Sequence, residues 1–177
     1  MSAETSPTPA VGPWTAASIV TRRLERDDRA ALEALVRSVA LFSDAEKDVA
    51  MEVLDAHLDD PGKDYHGLGA FTPHGVLLGY ACYGPTPCTA DTWDLYWIAV
   101  GGTARGNGIG TLLMEEVERR LVANRARLLL IETSSRADYT HTRAFYERRG
   151  YSVVAQVPDF YAPGDDRVIF ARFFDQT

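Results

Sequence analysis

Residues 104–113 read ARGNGIGTLL. Gly106, Gly108 and Gly110 stand in alternate positions and run straight into an apolar helical stretch. Glycine is a poor helix former, so its repetition here points to a backbone that bends tightly or is approached closely. The first amides of a helix lack intrahelical acceptors, and the helix dipole adds partial positive charge at the same end. A strand-like run, TWDLYWIAV (92–100), precedes the glycines. Strand, glycine turn and helix together form an anion site, and Arg105 adds a full positive charge at its mouth. Two familiar phosphate loops are excluded. The spacing is G-N-G-I-G rather than G-x-G-x-x-G, and no lysine follows the glycines as a P-loop requires.

Two further groups bear chemistry. Tyr146 stands in the run FYERRGY, and the carboxylates Asp94 and Glu132 stand on or at the ends of strand-like runs. On a two-residue period Asp94 shares a face with Tyr96 and Ile98. Glu132 closes the apolar run LLLIET, where strand ends open into sites. Each carboxylate also reads as a capped or paired structural group.

The run Arg105-Gly106-Asn107-Gly108-Ile109-Gly110 fits [Arg/Gln]-x-x-Gly-x-[Gly/Ala]. It resembles the pyrophosphate-binding motif of the GNAT superfamily of acyl-CoA-dependent N-acyltransferases. TRAFYERRGY (142–151) is similar to that family's late helix. The resemblance covers nearly the whole chain from Ser18 onward. It implies an α/β (α+β) fold with a mixed, mostly antiparallel sheet of about seven strands. That sheet is splayed between its fourth and fifth strands and flanked by four helices. It further implies acetyl-CoA as co-substrate and no metal.

In such a protein the amides of Gly106, Asn107, Gly108, Ile109, Gly110 and Thr111 would cradle the CoA pyrophosphate, with Arg105 beside them. Ile98, Ala99 and Val100 would pair edge-on with the pantetheine arm. The N–H of Ile98 or Ala99 would polarise the thioester carbonyl. Tyr146 matches the tyrosine that protonates the leaving sulfur in this family. The family often carries an asparagine that contacts CoA seven residues earlier; here that position is Tyr139. Thr133, Ser134, Ser135 and Arg143 are candidates to supply the missing polar contacts.

Acyl transfer to an amine needs a base, an oxyanion donor and an acid for the thiolate. Asp94 lies eleven residues before Arg105, a spacing similar to that of a glutamate in the histone-acetyltransferase branch. An aspartate near its ordinary pKa of about 3.9 acts best through a water relay. The acceptor wall is expected from the early helices, the fourth strand and the loop PDFYAPGDD (158–166), with Trp93, Tyr96, Asp159, Phe160 and Tyr161 as candidates.

These groups need a scaffold. Residues 1–16 are rich in Ser, Thr, Pro and Ala and read as a flexible tail. Residues 17–177 read as one domain, since 177 residues suit one core and are few for two. A strand at SIVTRRL (18–24) leads into Asp27 and Asp28, which can cap a helix with Leu32, Leu35, Val36 and Val39 inward. Ser43 and Glu46 form a capping box for a second helix with Val49, Val53, Leu54 and Leu58 on its apolar face. Three strands follow, then the glycine-led helix, a buried strand, a short helix ending at Gly150, and two last strands.

The bulk numbers bound the partners. The net charge of −7 argues against a nucleic-acid binder. Residues 1–99 carry −8 and residues 100–177 carry +1, so the glycine half is the less hostile to an anion. No apolar run reaches the roughly 20 residues needed to span a bilayer. The N-terminus lacks a basic and then apolar leader, which makes the cytoplasm the default location. Cys82 and Cys88 read as reduced thiols. A monomer or a homodimer is expected. The leading reading is an N-acetyltransferase acting on a primary amine of a small molecule. A protein N-terminal or lysine acetyltransferase and a non-catalytic acyl-CoA-binding regulatory domain remain alternatives.

Overall fold

The run LLLI (128–131), apolar on both faces, sits in the middle of a sheet covered on both sides. The structure, a computed structural model, describes residues 18–175, so the tail expected over 1–16 lies outside the described residues. Strand β1 (Val20–Arg23) is followed by α1 (Arg29–Ser38) and α2 (Asp44–Asp59). Strands β2 (His66–Phe71), β3 (Leu77–Pro85) and β4 (Thr92–Val100) form a meander. Helix α3 (Ile109–Ala123), β5 (Leu128–Ser134), α4 (Thr140–Arg148) and the hairpin β6 (Ser152–Ala162) and β7 (Asp165–Phe173) complete the chain. One seven-stranded sheet runs β1-β2-β3-β4-β5-β7-β6. Only the β4–β5 pair is parallel. This is the mixed, mostly antiparallel sheet with four helices that the sequence leads one to expect.

Local chemistry sets the helix starts. Ser43 accepts from the Glu46 amide at 3.2 Å while Glu46 accepts from the Ser43 amide at 2.7 Å, the expected capping box. Asp28 behaves differently from expectation. Its carboxylate does not cap α1; it accepts from the Glu25 amide and takes both Arg22 nitrogens. Val49 is half exposed, and Ala50, Met51, Leu54, His57 and Leu58 carry the buried face of α2 instead.

Two apolar layers flank the sheet. On one face, Ile109, Leu113, Val117 and Leu121 of α3 join Tyr146 of α4, Leu129, Ile131 and Phe170. On the other, Leu32 and Val36 of α1 and Leu54 of α2 meet Phe71, Tyr80 and Cys82. The sheet is tied to α3 and to the end of α4 by one carboxylate. Glu118 accepts from Arg149 at 3.0 Å, from the Tyr151 hydroxyl at 3.0 Å, and pairs with Arg172 at 2.9 Å.

The centre of the sheet is interrupted. β4 and β5 pair only over Thr92–Leu95 and Leu128–Ile131. At the same height β4 carries an extra residue against β3: Cys82 opposes Trp97, and the next β3 residue, Tyr83, opposes Leu95. This bulge at Tyr96 bends the strand and raises its local twist. Beyond it, β5 keeps its hydrogen bonds to β7 through Ser134, while β4 keeps its own to β3 through Val100. The two central strands therefore part.

Because Glu118 and Arg149 are both largely buried and paired, Glu118→Ala is expected to cost about 3 kcal/mol, as for breaking a buried ion pair. Urea unfolding would measure it; a loss below about 0.5 kcal/mol would show that the network is only a surface decoration.

Candidate active site

The glycine turn presents a row of free amides. The first hydrogen bond that α3 receives at its start is from the Leu112 amide to the Gly108 carbonyl, at 2.9 Å. The amides from Gly106 to Thr111 donate to no backbone acceptor. Gly106 and Gly108 adopt φ of 78° and 79°, the left-handed region that side chains disfavour. A Cβ at either would meet nothing within 4 Å, so open space stands over the amides. Gly110 differs: its φ is not positive, and a Cβ there would rest at 3.8 Å from Val100 and Phe145, an ordinary contact. Asn107 braces the turn through the Ala104 and Arg105 carbonyls. Arg105 donates one bond, to the Val100 carbonyl. An anion of pyrophosphate size fits this cradle.

The register of β4 shows which of its amides are free. Gly101 donates to the Leu78 carbonyl at 2.9 Å. Antiparallel ladders alternate, so Ala99 with Tyr80 and Trp97 with Cys82 are the pairs that exchange hydrogen bonds. Ile98 and Val100 then aim their N–H and C=O groups away from β3, toward the gap. Of the two oxyanion candidates, Ile98 keeps a free amide and Ala99 does not; Ala99 is also buried on the α1–α2 side.

The gap opens into a cavity of about 660 Å³. Its walls are Asp94–Ile98 of β4, Glu132–Ser134 of β5, Leu41–Ser43 with Glu46 before and within α2, and Arg136, Tyr139, Thr142 and Tyr146. Tyr161, Ala162 and Asp165 from the β6–β7 hairpin complete it. Tyr146 is 4% exposed and wedged among Phe145, Tyr151 and Phe170. Its hydroxyl has no hydrogen-bond partner among the described residues, and burial pushes its pKa well above the ordinary tyrosine value. It therefore keeps its proton. Asp94 accepts from the Thr86 hydroxyl at 2.6 Å, which leaves its second oxygen available. Glu132 is more exposed and pairs with Arg167 at 3.2 Å. Burial, with the Asp94 charge behind it, lifts the Tyr96 hydroxyl to about 12.

Several expected positions are corrected. Asp94 and Ile98 do not share a face, because the bulge shifts the alternation: Ile98 packs on the α3 side and Trp97 on the other. Trp93 points into the α3-side core against His66 and Tyr83, away from the cavity. Asp159 accepts from the Gly164 amide and shapes the hairpin turn. Phe160 lies under Arg167, 4.0 Å from ring to guanidinium, outside the cavity wall. Arg143 donates to the Ser134 and Arg136 carbonyls and braces the β5–α4 loop. Tyr139 lines the cavity beside Glu46 and Asp165 rather than extending the glycine cradle. Thr133, Tyr96 and Tyr161 do line the cavity. Sequence reasoning passed over Phe42, Trp97, Arg136 and Asp165, and read Glu46 as a cap alone. Their sequence neighbourhoods carry no motif; the folded chain assembles them.

Residues 30–151 match the model of the acetyltransferase (GNAT) family. A solved GNAT-family protein from Desulfovibrio desulfuricans is 39% identical, with a TM-score of 0.83 over 88% of this chain and 98% of that one. The L-2,4-diaminobutyric acid acetyltransferase of Streptomyces coelicolor is 30% identical over 99 residues, 54% of this chain and 53% of that protein. The chain spans about half the length of the curated relatives it matches. An aminoglycoside 6'-N-acetyltransferase solved with coenzyme A shares the fold at 18% identity, with a TM-score of 0.69 over 87% of this chain and 96% of that one.

The glycines separate by role. Gly108→Val is expected to lose stability through its positive φ, about 1–2 kcal/mol, and to fill the space over the amides. Gly110→Ala is expected to fold as well as the parent. Calorimetry with CoA should show affinity reduced at least tenfold in the first and little changed in the second. Equal affinity in both would remove the cradle from anion binding.

Proposed function

Because the chain belongs to the acetyltransferase (GNAT) family and is an acyl-CoA-dependent acetyltransferase, we propose that it acetylates a primary amine of a small molecule by direct attack in a ternary complex. One observation carries this reading. Ile98, whose N–H is freed by the register, borders a cavity walled by carboxylates, and the free amides of the glycine turn follow at the end of the same strand. The cavity volume lies in the range of small-molecule sites, roughly 300–1,000 Å³. A relative named for L-2,4-diaminobutyric acid, itself a small amine, supports the same class.

Acetyl-CoA would supply the acyl group as a thioester. The amides of Gly106–Thr111, with Arg105, would hold its pyrophosphate. Val100 and Ile98 would hold the pantetheine arm through main-chain bonds, as an added strand is held. The Ile98 N–H would serve as the oxyanion donor. Asp94 would take the amine proton through a water, since it lines the cavity and only one of its oxygens is engaged, by Thr86. Glu132 is the second candidate, because its carboxylate is already engaged by Arg167. Tyr146 keeps its proton through burial and gives it to the departing sulfur.

An amine panel read by free thiol release from acetyl-CoA tests the activity; silence across the panel would sink it. Tyr146→Phe should slow the chemical step by about 10²-fold in single turnover while CoA affinity holds. A full-speed step would remove the hydroxyl from the mechanism. For Asp94→Asn, kcat/KM should fall, whereas Glu132→Gln should keep it. The reverse pattern would move the base to Glu132.

A further inference from the structure

The cavity has a second anionic end that the transfer chemistry does not use. Asp165 is 6% exposed, and its carboxylate has one partner, the Ser134 hydroxyl. Ser134 Oγ accepts from the Arg136 amide, so its proton is directed at Asp165. Glu46 faces the same region with one oxygen tied to the Ser43 amide. The nearby guanidinium groups are already matched: Arg136 to Asp138, and Arg167 to Glu132. Arg136 also reaches Asp165 and the Tyr139 ring, so this end holds two carboxylates against one guanidinium already shared with Asp138.

Tyr139 is the independent sign of a ligand. It is 8% exposed and lines the cavity, and its hydroxyl has no hydrogen-bond partner among the described residues. Burial and the Glu46 charge push that hydroxyl up to about 12, so it remains a neutral dipole among carboxylates. The ring is buried while the hydroxyl opens onto the cavity, where a ligand's polar group can engage it. Asp94 belongs to a separate neighbourhood. Its charge is felt by Tyr96, whereas Glu46 and Asp165 are felt together by Tyr139 and Tyr161.

We propose that Glu46, Asp165 and Tyr139 form a subsite for a second cationic group on the acceptor, so that the enzyme prefers diamines and other dibasic amines. This rests on the amine-acetylation reading. One amino group reacts beside Asp94 and Ile98. The other stays charged and donates to Glu46 and Asp165, with the Tyr139 and Tyr161 rings beside it. Tyr139 is then a specificity residue of the acceptor site.

The test compares α,ω-diaminoalkanes of increasing length with the matched monoamines. Wild type should show kcat/KM for the best diamine about 10-fold to 100-fold above its monoamine, the range of a charge-assisted bond. Glu46→Gln keeps the helix cap, because glutamine also serves in a capping box. It should erase most of that preference, read as the ratio of diamine to monoamine kcat/KM in the same variant. Tyr139→Phe should erase part of it. Calorimetric binding of the same amines, read without turnover, separates the two ideas. Selective diamine binding lost in Glu46→Gln upholds the subsite even if no amine is acetylated, an outcome that would instead defeat the activity reading. Acetylation or binding with no diamine preference, or a preference untouched by Glu46→Gln, overturns the subsite.

Discussion

The β4–β5 ladder ends after Leu95 and Ile131, and the rest of the site follows from that ending. A sheet interior normally satisfies every backbone donor and acceptor. Here Ile98 and Val100 point polar groups into a gap; Arg105 meets the Val100 carbonyl, and the two N–H groups are left to water or a ligand. The same divergence leaves the β4-facing edge of β5 at Glu132, Thr133 and Ser134 as a wall, while their other edge stays paired with β7. It also places a helix start and its free amides at the far end of the opening. Had β4 and β5 stayed paired to their tips, there would be a stable sheet and no site.

Two buried tyrosines in that opening illustrate how surroundings divide labour among like residues. Tyr146 is packed by rings on several sides, so its position is fixed and its proton is retained by desolvation. Tyr139 sits among charges: Glu46, Asp138 and Asp165 on the anionic side and Arg136 over its ring at 5.2 Å. The first environment suits proton delivery along one line. The second suits recognition of charge.

Much of the scaffold could be read from residue patterns. The capping box at Ser43, the apolar stripe of α3 and the buried run LLLI each depend on neighbours in sequence, and each appears where expected. The glycine turn was legible for the same reason. What escaped was long-range. The bulge at Tyr96 arises from the pairing of β4 with β3, and it moved Ile98 to the face opposite Asp94. Trp93 had the right chemistry for an acceptor wall but the wrong side of the strand. Asp165 and Glu46 come from distant segments, and only the folded chain brings both to Tyr139. The sequence also treated Gly110 as equivalent to Gly106 and Gly108, although only the latter two need a left-handed backbone.

The glycine turn holds its anion by main-chain groups, whereas the opposite wall is made of side chains. A main-chain grip is indifferent to most substitutions provided the turn keeps its shape. A side-chain wall can be rewritten one residue at a time. The donor half of this molecule is therefore a fixed handle and the acceptor half an interchangeable face. A protein engineer wishing to redirect it would alter a handful of positions at strand tips and one helix cap, and leave the handle alone.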